Sequence, residues 1–147
     1  MRLVVDASLL VGQLLREKGR RRLADPRLEL FIPEQMLEEV ERELPKRVRA
    51  FARAHDLEPA LADELGATCL EAVAANVAVV HEPVYAGLED EAQSRSVRDP
   101  NDWPLVASAL ALSAGIWTAD DDLLGVGIAT WTVDTLDNWL RRHPVDA

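Results

Sequence analysis

The sequence predicts an α/β fold, with a central, mainly parallel five-stranded sheet and helices on both faces. Three observations carry this. Five short apolar or β-branched runs lie along the chain, at residues 3–5, 28–33, 77–83, 115–120 and 129–136. Helix-patterned segments separate most of them, and strands alternating with helices give parallel pairing through helical crossovers. Finally, 147 residues with 48% hydrophobic content can bury one core, and no linker, repeat or low-complexity tract divides the chain. One domain over residues 1–147 is expected.

Each element has a local reason. Leu3, Val4 and Val5 form a buried strand, and SLLVGQLLREKGRRRL then reads as one helix with apolar positions 9, 10, 14 and 15 and a basic tail. LELFIP is a second strand. PEQMLEEVEREL is a helix with proline in its first turn, and Pro45 is expected to kink or end it. Residues 46–78 continue helically through Val48, Phe51, Leu57, Leu61, Leu65, Leu70 and Val73. A helical middle section at about 41–76 follows from this. VAVVHEP is the third strand, and residues 84–98 are an acidic connection or short helix. DPNDWPLVASALALSAG is a helix with early prolines and Gly115 at its end. GIWTAD gives the fourth strand, ATWTVDTL the fifth, and NWLRRH a closing helix. The four tryptophans read as core or interface residues.

Composition removes several classes of function. No run reaches the roughly 18 apolar residues of a membrane span. The apolar N-terminus is broken by Asp6 and lacks a cleavage signal, so a cytoplasmic protein without a signal peptide is expected. Cys69 is the only cysteine, and His55, His81 and His143 are far apart, so a zinc set is not expected. The net charge is -10. Residues 1–60 hold 12 Lys/Arg against 11 Asp/Glu, and residues 61–147 hold 4 against 15. That balance argues against a nonspecific nucleic-acid coat. Basic stretches at 16–22 and 46–53 are candidates for phosphate contact, although taken alone such runs are better explained as a solvated helix face.

The placement of acidic residues is the informative feature. In an open parallel sheet, sites form beyond the carboxyl ends of the strands. Asp6 ends the first strand and Asp120 the fourth, with Asp121 and Asp122 behind it; Asp102 opens the helix leading into the fourth strand. Singly, each has an ordinary explanation as a helix cap or polar turn. Two strands both ending in aspartate at the edge that carries the chemistry is a coincidence of another kind. Two charges ~4 Å apart repel by about 4 kcal/mol at intermediate dielectric, so protons or a cation must relieve the cluster. An oxygen-only donor set selects Mg²⁺ or Mn²⁺.

The segments VVDAS, PEQMLEEVEREL and DPNDWPLVASALALSAGIWTADDDLL together resemble the PIN domain family. The last is the most specific: Asp102, then Ala107 five residues on, an apolar helix, and a strand ending in Thr118-x-Asp120. The resemblance implies a PIN-like three-layer α/β/α sandwich and a metal-dependent endoribonuclease. It carries the family's four acidic positions onto Asp6, Glu39, Asp102 and Asp120 as catalytic and metal-binding residues, with Ser8, Thr118 and Asp122 in support. The glutamate has two candidates. Glu43 flanks the apolar stripe of its helix more closely, whereas the family pattern, a Glu before an aliphatic residue, selects Glu39 before Val40. Residues 46–95 carry no recognisable family motif.

The resemblance further implies an RNA substrate, Mg²⁺ or Mn²⁺ as cofactor, a homodimer, and the setting of a VapC-like toxin paired with a small antitoxin. A phosphotransfer receiver is rejected because the only lysines, Lys18 and Lys46, are not placed after a late strand. An aspartate-nucleophile phosphatase is rejected because Ser8 stands where a second aspartate is needed. The rival from another class is an inactive PIN-like module that only binds a partner.

Overall fold

A computed structural model describes residues 1–145. Five strands, β1 (Arg2–Val5), β2 (Glu29–Pro33), β3 (Val77–Val80), β4 (Gly115–Trp117) and β5 (Thr130–Trp131), form one sheet in the order β3-β2-β1-β4-β5. Every pairing is parallel. The chain starts at the middle strand, winds out to β3, returns to β4, and finishes at β5. Leu3, Val4 and Val5 are fully buried because β1 is covered on both faces.

The outward winding uses α1 (Ala7–Leu14), α2 (Glu17–Leu23), α3 (Glu34–Ala54) and α4 (Pro59–Asn76). The return uses α5 (Glu82–Tyr85), α6 (Glu89–Arg95) and α7 (Trp103–Leu112), and α8 (Val133–Arg142) follows β5. Parallel crossovers are right-handed, so reversing the winding direction puts the two helix groups on opposite faces. The result is a three-layer α/β/α sandwich, as the sequence predicts. Trp117 is fully buried, and Trp103, Trp131 and Trp139 pack partly buried around the core.

Several boundaries differ from expectation. The first long helix is two helices. Arg16 is extended between them, and Gly19 lies so close to the turn that a Cβ would sit 2.1 Å from the Gln13 carbonyl oxygen. Only glycine permits that approach, and it folds α2 back against α1. Pro45 neither ends nor divides its helix: α3 runs through it to Ala54. The proline is exposed, while Met36, Val40, Leu44, Val48 and Ala52 keep one continuous buried stripe, which outweighs the one missing backbone bond. Residues 41–76 are filled by α3 and α4 with a turn at 55–58, where Asp56 adopts φ 51°.

The helix before β4 ends earlier than Gly115. Ser113 takes the left-handed C-terminal position (φ 50°), and Gly115 opens the strand, packed against the Trp131 indole and Leu3. The fifth strand is only two residues long. Thr132 and Thr135 exchange side-chain and backbone bonds in a capping box that starts α8 at Val133. No helix among the described residues is long and apolar enough to cross a membrane.

Candidate active site

The sheet topology has its switch point between β2–β1 and β4, where crossovers leave in opposite directions and a crevice opens at the strand ends. Asp6 follows β1 and Asp120 follows β4; these strands are hydrogen-bonded neighbours, with Val5 beside Trp117. Asp102 stands at the start of α7. A helix antiparallel to the strand it precedes begins at that strand's carboxyl edge, so this residue lies on the same rim. Glu39, on α3, reaches the rim from the other side. A cavity of about 550 Å³ is lined by Asp6, Ser8, Glu39, Asp102 and Asp120, together with Asp99 and Gln35. Glu43, one turn beyond Glu39, lines a neighbouring smaller cavity instead.

Hydrogen bonding separates ordinary capping from something else. Asp99 accepts the Asn101 amide at 3.0 Å, and Asp120 accepts the Asp122 amide at 2.9 Å, as turn-forming aspartates do. Asp6 and Asp102 also occupy the residue before a helix, yet neither carboxylate caps it. Asp6 Oδ2 instead accepts the Thr118 hydroxyl at 2.8 Å. Asp102 Oδ2 is buried and has no hydrogen-bond partner among the described residues. Such an oxygen costs on the order of 1–3 kcal/mol if left unmatched.

The electrostatics follow. Burial, then Asp99, Asp6, Asp120 and Asp122, push the Asp102 carboxyl up to about 7. Burial raises Asp6 as well, opposed by the Thr118 hydroxyl. Thr118 is itself buried and serves both strand ends: its oxygen also accepts the Asp120 amide at 3.0 Å. Ser8 is exposed at the cavity wall. Asp122 is exposed and does not line the cavity; its amide, not its carboxylate, engages Asp120.

Asp99 and Gln35 are rim residues that the sequence analysis did not assign to the site. Asp99 was legible as half of an Asp-Pro-Asn-Asp pair, whereas nothing in the pattern marks Gln35.

A divalent cation can be tested against these donors. They are oxygens only, they repel one another, and one is orphaned: the chemistry fits Mg²⁺ or Mn²⁺. They do not form a closed cage, since among the described residues no three His, Cys, Asp or Glu side chains come close enough together to hold a metal ion.

The fold and its rim define an α/β protein with Asp6, Glu39, Asp102 and Asp120 lining one cavity at a topological switch point. The PIN domain family model matches residues 4–141, and the chain belongs to that family. The match runs through residues 46–95, where no motif was legible. PIN domains are generally nucleases and generally use divalent metals. No curated protein matches the chain significantly.

Proposed function

We propose that this protein is a metal-dependent endoribonuclease that hydrolyses RNA phosphodiester bonds at the Asp6–Glu39–Asp102–Asp120 rim. The observation that carries the reading is the orphaned, buried oxygen of Asp102 in a cavity shared with the other three carboxylates. Burial first, and then four neighbouring carboxyls, push that acid up to about 7, and a cation at this place would relieve both costs.

Asp6, Glu39, Asp102 and Asp120 would hold Mg²⁺ or Mn²⁺. That ion, when bound, supplies Lewis acidity toward water and compensates charge on the scissile phosphate. The chain's own residues do the positioning. Thr118 holds Asp6 and the Asp120 backbone at one spacing, the capping bond from Asp122 fixes the Asp120 carboxylate, and one oxygen of Asp102 is buried at the start of α7. No serine, cysteine or histidine nucleophile is needed, and Ser8 alone of these lines the cavity.

The test is cleavage of a labelled RNA in Mn²⁺ and in EDTA, paired with thermal melting. Wild type cuts only with Mn²⁺ and melts higher with it, because the ion binds the folded state. A protein indifferent to Mn²⁺ in both assays is not this enzyme.

Within this reading the protein acts in the cytoplasm as a homodimeric, VapC-like toxin neutralised by a small antitoxin. The support is the likeness of its motifs to that group. Purification from the native operon tests it: a short partner co-purifies, and wild-type activity arrests growth when that partner is absent.

A further inference from the structure

Four of the nine cations in the basic stretches that the sequence offered for phosphate contact, Arg20, Arg21, Arg22 and Lys46, are committed elsewhere. Arg20 donates to the Leu14 carbonyl at 2.7 Å, Arg21 pairs with Glu17, and Arg22 is buried against Asp137. On α3, Arg42 and Lys46 share the Glu43 carboxylate at 3.9 and 3.5 Å. Arg49 lines the groove between α3 and α4, away from the rim.

Arg47 differs from all of these in its place beside the carboxylate cavity. It is exposed and has no ion pair or side-chain hydrogen bond among the described residues. It lines a cavity of about 170 Å³ between α1 and α3 together with Ser8, Glu39 and Glu43. Ser8 and Glu39 also line the carboxylate cavity, so the two spaces adjoin through shared walls. Glu43 is the one acidic neighbour added by the second cavity, and its charge is already divided between two cations. Arg47 is the one cation lining this second cavity.

We propose that Arg47, with the Ser8 hydroxyl beside it, forms a subsite for an RNA phosphate that flanks the one cleaved. This rests on the nuclease reading above. Eight residues of helix separate Arg47 from Glu39, a rise of ~12 Å. That is too far for the scissile phosphate and suited to a neighbour along the same strand. An arginine can grip such a phosphate with two parallel N–H donors, and it fixes the strand's path without reading its bases. The substrate then leaves the rim along the α1–α3 side. It does not cross α7, where Asp99 and Asp102 would repel it.

The experiment is fluorescence anisotropy with a fluorescein-labelled phosphorothioate oligouridylate, which resists cleavage, titrated in Mg²⁺ across a salt series. Arg47→Gln should weaken binding severalfold and lower the slope of log affinity against log salt by about 0.7, the loss of one single-strand phosphate contact. Arg47→Lys should keep the slope and part of the affinity. Arg49→Gln, an equally exposed charge on the other side of α3, should leave both unchanged. If Arg47→Gln binds with the wild-type slope, or Arg49→Gln loses as much, the subsite is wrong while the nuclease reading stands. If wild type binds no oligonucleotide, the nuclease reading itself falls.

Discussion

Thr118 and Asp6, 112 residues apart in sequence, are joined by a 2.8 Å hydrogen bond across adjacent strand ends. The same threonine oxygen receives the Asp120 amide, so one buried hydroxyl spaces two acidic side chains. Thr118→Val keeps the shape and removes both bonds. Supporting groups of this kind are worth 10–100-fold in metal affinity or activity. We expect Mn²⁺-dependent cleavage to fall by about that factor, with Thr118→Ser recovering most of it. A valine variant of wild-type rate refutes the supporting role.

Asp120→Asn and Asp6→Asn should each abolish RNA cleavage while leaving the far-UV circular dichroism unchanged. Each removes one charge from a mutually repelling set, so metal-free melting temperature should stay level or rise. Either variant cutting at the wild-type rate would falsify the assignment of the rim.

Asp102 makes stability depend on pH in a direction opposite to most carboxylates. Its folded value is raised from 3.8 to about 7, so the folded state holds the proton more tightly than the unfolded chain. The contribution to stability is complete below about 3.8 and is lost as pH rises toward 7. In EDTA, wild type should therefore melt lower at pH 8 than at pH 5.5, after subtraction of the same difference in Asp102→Asn. Saturating Mn²⁺ should remove most of the loss, because a cation takes the proton's place.

Arg22 and Asp137 form the opposite case. The pair ties α2 to α8 through two bonds of 2.6 and 2.8 Å, and Gln13 takes a third donor of the guanidinium. Arg22 is 7% exposed and Asp137 29%. Asp137→Asn strands a largely buried cation, at a cost of about 3 kcal/mol, or on the order of 10 °C in melting temperature. Arg22 holds the Asp137 carboxyl below its ordinary 3.8. The stabilisation is therefore present above that value and lost as pH falls through the lower folded one. The gap between variant and wild type should close in strong acid; a gap that is constant down to pH 2 contradicts the pairing.

The loop after Asp120 returns with two glycines in the left-handed region, Gly125 at φ 85° and Gly127 at φ 82°. A Cβ on Gly125 meets nothing within 4 Å, whereas one on Gly127 would lie 2.7 Å from Arg95 Nη1. That guanidinium donates to the Val126 carbonyl at 3.1 Å. Both alanine variants carry the backbone strain, about 1 kcal/mol or more. Gly127→Ala should lose a further ~1 kcal/mol by displacing Arg95. In an Arg95→Ala background the two should become equal in chemical denaturation.

Much of this was legible because it is local or periodic. Strand ends, the Asp102-to-Ala107 spacing and Thr-x-Asp place three of the four carboxylates by chain order alone, and the right-handed crossover rule brings their elements to one edge. The break at Leu15–Arg16 was not legible, since Gly19 matters only through its distance to a carbonyl six residues back. Pro45 misled for a similar reason: a buried stripe on the far side of a helix outweighs a local breaker. Glu39 was chosen over Glu43 on the family's pattern; that Glu39 lines the carboxylate cavity and Glu43 only the smaller one depends on how α3 packs, which no spacing carries. The roles of the arginines were equally hidden, because sequence shows charge but not which carbonyl or carboxylate absorbs it.

The strand order has a consequence for biosynthesis. Asp6 follows β1, yet β2, β3 and the helices α1 to α7 all come before β1's other bonded neighbour in the sheet, β4. A growing polypeptide can pair β1 with β2 and β3, but it has no Thr118 or Asp120 to set beside Asp6. An acidic rim built this way is complete only when the fourth strand inserts beside the first.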